Sequence, residues 1–174
     1  MRTSLVLTVI GDDRPGIVEQ ISAHVAAAGA NWEESSMARL AGKFAGLLRV
    51  SVPSERADAL TTDLRALCAS GLAVVVEGSR VPEPAASQHL YLSVVGNDRP
   101  GIVRDIARTL AGYQVNIEAL DTSVTGAPMS GEPLFRADAS LRVPVGVTVD
   151  QLRLVLEALA SELMVDLTVD DAPA

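Results

Sequence analysis

Asp13-Arg14-Pro15-Gly16-Ile17-Val18 returns letter for letter as Asp98-Arg99-Pro100-Gly101-Ile102-Val103, 85 residues further along a chain of 174. The same offset aligns Gly11 with Gly96, Ile21 with Ile106, Asn31 with Asn116 and Glu33 with Glu118. It also aligns Leu5, Leu7 and Val9 with Leu90, Leu92 and Val94. Self-identity at half the chain length means one structural unit written twice. Units of about 80–90 residues bury a modest fraction of their surface and are marginal alone, so an interface shared by the two is expected.

Within residues 1–79 the pattern begins with an apolar strand over 3–10 and a turn over 11–14. Pro15 suits the first turn of a helix, where its missing N–H costs nothing. Ile17, Val18, Ile21, Val25 and Ala28 recur at spacings of three and four, and Gly29 ends the run. A strand over 31–39, a hairpin turn at 40–43 and a return strand over 44–52 follow. Ser54 then caps a second helix that buries Ala57, Leu60, Leu64 and Leu67. Gly71 stops that helix before a last strand over 72–76. Residues 80–87 hold two prolines and no periodicity, which marks a short, rather stiff linker.

Residues 88–174 repeat the order. Strands are expected over 90–95, 115–125, 134–143 and 164–169, with helices over 100–112 and around Leu152, Val155, Leu156, Leu159 and Leu163. The tail 170–174 is expected to fray. The order β-α-β-β-α-β, twice, specifies an α+β chain of two ferredoxin-like sandwiches in tandem. Each has a four-stranded antiparallel sheet with two helices on one face. The units differ at the middle turn, tight in the first and long in the second, over 125–134.

Hydrophobic residues make up 48% of the chain and aromatics only 3%, so the cores must be aliphatic. The net charge of −8, without a run of Lys or Arg, repels phosphate backbones. Direct nucleic-acid binding is therefore disfavoured, and base-stacking platforms are scarce. The single cysteine, Cys68, lies in an apolar helical pattern and is expected to be a small buried hydrophobe. Met1-Arg2-Thr3-Ser4 runs straight into a strand without a signal-peptide pattern. No apolar stretch reaches the roughly 18–20 residues that span a bilayer. A cytoplasmic protein with no membrane contact is expected.

The repeated hexapeptide sits where a strand hands over to a helix. Gly11 lets the chain turn, Pro15 sets the helix start, and Gly16 leaves the first turn open to a ligand. The first helical N–H groups lack intrahelical partners and carry the positive end of the helix dipole, so a carboxylate can dock there. In the alternative, Asp12 or Asp13 caps the helix and no ligand is needed. Asn31 and Asn116 start the strands after the helices, at the end of the sheet opposite the turn. Each faces another unit's turn or serves only as a turn residue. His24 and His89 lie in no metal spacing, and neither a Walker motif nor a dinucleotide glycine motif occurs. An acyl-phosphatase reading would rest on Arg14, but Arg14 recurs as Arg99, and a duplicated site suits binding better than turnover.

Gly11-Asp-Asp-Arg-Pro-Gly-Ile-Val-Glu-Gln-Ile21 after a short strand resembles the start of ACT domains, and the resemblance covers about residues 3–79 and 88–170. The stand-alone pair, with Thr125-Gly-Ala-Pro-Met-Ser-Gly-Glu-Pro-Leu-Phe135, is similar to the family of glycine cleavage system repressors. The resemblance implies regulation without catalysis or cofactor, with a small amino acid such as glycine or serine held near the first strand-to-helix turn, between modules. The residues implied are Gly11, Asp12, Asp13, Pro15 and Gly16 with Asn31, and Gly96, Asn97, Asp98, Pro100 and Gly101 with Asn116. It also implies a protein partner, either a DNA-binding regulator or a metabolic enzyme. A homodimer through open sheet edges is compatible with it, as is a ligand-free interaction module.

Overall fold

The computed structural model describes residues 1–79, 87–127 and 131–171. They form two compact units, divided between Pro82 and Glu83. The first unit contains β1 (Arg2–Asp12), α1 (Ile17–Ala27), β2 (Asn31–Leu40), β3 (Lys43–Pro53), α2 (Ala57–Ala66) and β4 (Leu72–Gly78). The second contains β5 (Ser87–Asn97), α3 (Ile102–Gly112), β6 (Asn116–Gly126), β7 (Pro133–Pro144), α4 (Val149–Leu163) and β8 (Val165–Asp171). The sheet orders are β2-β3-β1-β4 and β6-β7-β5-β8, antiparallel throughout. This is the ferredoxin-like α+β fold, twice.

The period-two pattern decides which sheet face is covered. Leu5, Leu7 and Val9 of β1 point the same way as Leu48, Val50 and Val52 of β3 and Leu72, Val74 and Val76 of β4. Ile17, Ile21 and Val25 of α1 close over them with Leu60 and Leu64 of α2. Leu90, Leu92 and Val94 are the counterparts in the second unit, under Ile102, Ile106 and Leu110 of α3 and Leu152, Leu156 and Leu163 of α4. Each such side chain, fully buried, contributes about 1.5–3 kcal/mol.

Several expectations are corrected. Gly11 is not a turn residue, since β1 runs through it to Asp12. A Cβ at Gly11 would lie 2.7 Å from Leu72 Cδ2 and 2.8 Å from the Gly71 carbonyl oxygen. Gly96 is crowded in the same way, 2.5 Å from Val165 Cγ1. Glycine is therefore required for close strand approach, not for a bend. Ser54 makes no side-chain cap: a short 3-10 turn, Ser54–Arg56, precedes α2. The capped helix is α4, where Thr148 and Gln151 form a reciprocal capping box. Cys68 is exposed, not buried, because the helical run tightens into a 3-10 turn at Leu67–Ser70 and turns it outward. The tight hairpin is present, with Ala41 and Gly42 both at positive φ. The long middle turn is shorter than its sequence, since β6 and β7 stay paired out to Gly126 and Pro133. Residues 128–130 of that turn, residues 80–86 of the linker and the end of the tail lie outside the described residues.

Gly11→Ala should lower the stability of the first unit by about 1–3 kcal/mol, because a backbone oxygen cannot rotate away from the new methyl. Trp32, the single tryptophan, packs against this core and reports the change in a urea titration followed by fluorescence.

Candidate functional site

Both strand-to-helix turns share one backbone design. The Asp13 N–H donates to the Gly42 carbonyl at 2.9 Å, and the Asp98 N–H donates to the Pro133 carbonyl at 2.9 Å. Each turn is thus stitched to the strand pair beside it. Gly16 and Gly101 are the N-cap residues, at φ +90° and +99°, a conformation that favours glycine. Pro15 and Pro100 therefore precede the cap and do not occupy the first helical turn. Neither helix has a side-chain cap. The alternative in which Asp12 or Asp13 caps α1 is overturned: an αL glycine, one or more residues beyond them, already occupies the cap position.

The two aspartates instead face the hairpin. Asp12 pairs with Lys43, its direct cross-strand neighbour, and the Asp13 carboxylate meets Arg39 Nε at 2.6 Å. The Lys43 ammonium, by hydrogen bond and by charge, holds the Asp12 carboxyl below the ordinary aspartate range. Arg14 donates to Gln20 Oε1 at 2.8 Å and to the Ser70 carbonyl at 3.3 Å, tying the turn to the end of the second helical segment. The charged side chains of the first turn are thus paired with neighbouring groups.

The second turn lacks these partners. Strand register puts Leu134 opposite Asn97, where Lys43 stands opposite Asp12. It puts Val124 opposite Phe135, where Arg39 stands opposite Phe44. Both cations are replaced by aliphatic residues, and one aspartate by an amide. Gly96 and Asn97 line an open groove of about 630 Å³, with Leu134, Glu157, Ser161, Met164 and Asp166 among its walls. Met164 is the left-handed C-cap of α4, so the negative end of that helix borders the groove. Arg104 donates to Asp105 at 2.8 Å, lowering the Asp105 pKa chiefly through that hydrogen bond. Arg104 Nη2 lies 3.1 Å from where a Cβ on Gly101 would stand.

Gly11, Asp12, Asp13, Pro15 and Gly16 are contiguous, as are Gly96, Asn97, Asp98, Pro100 and Gly101. Asn31 and Asn116 do not join their own turns. Asn31 is in register with Ser51 and Ser4, seven residues along β1 from Gly11, or about 23 Å at ~3.3 Å per residue. Asn116 is equally far from Gly96, through Arg142 and His89. Sequence reasoning missed Arg39, Lys43, Glu157 and Asp166. The signal available was that the two cations flanking the first hairpin have no counterparts in the second unit. Among the described residues no group of His, Cys, Asp or Glu is placed to hold a metal ion, and no helix is long and apolar enough to cross a membrane.

An apolar cavity of about 20 Å³ lies between α3 and β6, lined by Val103, Ala107, Leu110, Leu120, Phe135 and Ala137 among others. In the first unit Met37 occupies the related space, over Gly46, whose Cβ would lie 2.6 Å from Met37 Cγ.

Because Asp12 titrates below its ordinary value, its pairing stabilises the turn at neutral pH and is lost as pH falls through that lowered pKa. Lys43→Met should move the Asp12 midpoint upward in a carboxyl NMR titration; an unmoved midpoint would contradict the pairing.

The model for the ACT domain matches residues 3–77, and a second ACT domain model matches residues 90–162. The glycine cleavage system transcriptional repressor of Escherichia coli (strain K12) is 25% identical over 162 residues, covering 91% of this chain and 85% of that protein. A solved structure of an unknown protein from Galdieria sulphuraria is 29% identical and superimposes with a TM-score of 0.85, covering 99% of this chain and 100% of that one. The structure of a candidate glycine cleavage system transcriptional repressor, 23% identical, gives a TM-score of 0.75 over 100% of this chain and 99% of that one, which supports the fold. The chain belongs to the ACT-domain family and carries two of its domains in tandem.

Proposed function

We propose that this chain is a non-catalytic regulatory protein that binds a small amino acid at the strand-to-helix turn of its second domain and acts through a protein partner. The observation that carries the reading is the loss, at that turn alone, of the two cations that occupy the first. Asp12 and Asp13 are satisfied by Lys43 and Arg39, whereas Asn97 borders an open groove. An amino acid has both charges that such a site can use. Its carboxylate goes to the α3 N-terminus beyond Gly101, where no side chain caps the helix. Its ammonium goes to Glu157, Asp166 and the carbonyl end of α4. Gly96 and Pro100 hold the backbone in place, and Asp98 and Asn97 supply polar contacts.

The similarity to a glycine cleavage system transcriptional repressor supports glycine as the first ligand to test and transcription as the process regulated. A chain of net charge −8 is poorly suited to the phosphate backbone, so the effect on transcription runs through a partner that itself binds DNA or controls metabolism. The first domain, whose turn is filled by its own ion pairs, serves as a structural and interaction module.

Calorimetric titration with glycine, serine and a panel of other amino acids should give binding to at least one. Asn97→Leu or Asp166→Leu should weaken it roughly 10–100-fold, the equivalent of one charge-assisted hydrogen bond. Lys43→Met, in the first domain, should leave it unchanged. Silence across the panel at millimolar ligand would count against amino-acid binding. Recovery of a DNA-binding regulator or a metabolic enzyme in a pull-down from native extract would identify the partner class.

A further inference from the structure

In each unit the helices cover one sheet face and leave the other open, and the two open faces have opposite chemistry. In the first unit Ile10 lies between Ala45 and Ala73, and Thr8 lies between Leu47 and Val75. Val6 follows in the next row, between Arg49 and Glu77. Leu47 and Val75 are each 54% exposed and Ile10 49%. Two adjacent rows across four strands thus hold no formal charge, with Ala38 and Ser36 completing them on β2. On the second unit's open face, Arg136 lies between Ser123 and Val95, Asp138 between Asp121 and Ser93, and Asp166 and Asp170 follow on β8. Duplication supplied the same scaffold to both, so the fold does not demand an aliphatic open face. A contiguous apolar patch of this kind on a soluble domain marks a contact surface.

We propose that the open sheet face of the first domain is a dimer interface that packs on the same face of a second copy of this chain. Three observations favour a second copy. The face is aliphatic and without charge across two rows, so it is complementary to itself and meets no like charge there. The net negative charge is carried mostly elsewhere: residues 1–79 hold seven Lys and Arg against nine Asp and Glu, while residues 87–171 hold six against twelve. Two copies therefore repel least through their first domains. The size is also sufficient. Four strands ~4.8 Å apart and about ten residues long present roughly 600 Å². Two such faces stacked about 10 Å apart hide on the order of 1,200 Å², the lower end of what a specific dimer needs, once the flanking rows that carry Asp12 with Lys43 and Arg49 with Glu77 are included, each row holding both signs of charge. The interface is independent of ligand binding at the second domain's turn.

Sedimentation equilibrium on the full chain between about 1 and 500 µM should show a reversible monomer–dimer equilibrium. Leu47→Asp and Val75→Asp, each at a half-exposed position, should weaken it at least ~30-fold while circular dichroism and melting stay near those of the parent. Leu154→Asp, at a 69% exposed position on α4 of the second unit, should not weaken it. Mixing Leu47→Asp with Leu47→Lys chains should restore association through opposite charges. In the unaltered chain, methyl NMR signals of Ile10, Leu47 and Val75 should shift on dilution, a readout that needs no variant. A chain that stays monomeric throughout, a dimer lost with Leu154→Asp but not Leu47→Asp, or methyl signals on this face that ignore dilution would each overturn the proposal.

Discussion

The central strand of each unit runs so close to its neighbour at one end that a Cβ cannot fit between them. At Gly11 the obstacle is the Gly71 carbonyl and the Leu72 side chain, and at Gly96 it is Val165. Leu72 and Val165 are themselves buried, closing the end of the core beneath the helices. The central strand can therefore stay paired on both sides through that glycine, its next-to-last residue, and the chain must then turn within a few residues to start a helix. Gly16 and Gly101, at positive φ, make that turn. They also leave the helix without a side-chain cap, so a device that solves a packing problem leaves an uncapped helix end.

What surrounds that helix end differs between the copies. The first turn is satisfied locally by two ion pairs with the hairpin, both largely in solvent, so they add little to stability. Their more important effect is that the charged groups of this turn are already engaged with one another. In the second copy aliphatic residues stand at the corresponding register positions, and a groove opens beside Asn97. The open sheet faces diverge in the opposite sense, aliphatic in the first unit and charged in the second. The two copies have thus diverged on separate surfaces, one at its strand-to-helix turn and the other on its open sheet face.

Much of the architecture was legible from pattern. The alternation of Leu5, Leu7 and Val9, and the three-and-four spacing of Ile17, Ile21 and Val25, each carry a period that only one kind of element satisfies. Element boundaries were less legible. Gly11 looks like a turn residue because glycine is permissive, and nothing local reveals that Leu72, some 60 residues away, removes the room for a side chain. Cys68 looked buried because a regular helix was projected through it, whereas the chain tightens there into a 3-10 turn. For the site, the motif residues were visible from identity between the copies. Lys43, Arg39, Glu157 and Asp166 were not, because they reach the turn only through strand register and the docking of α4.

Two β-α-β-β-α-β units with aliphatic cores, each with a glycine-built strand-to-helix turn, can be read from the order of the residues. Those features follow from periodicity and backbone stereochemistry, which act over a few residues. The folded arrangement places Asn31 and Asn116 about 23 Å from their own turns by strand register. It also pairs the charges of one turn with each other while the other turn borders a groove. The reason is that charge pairing and open volume depend on which distant strands become neighbours, and antiparallel register, not sequence proximity, sets that.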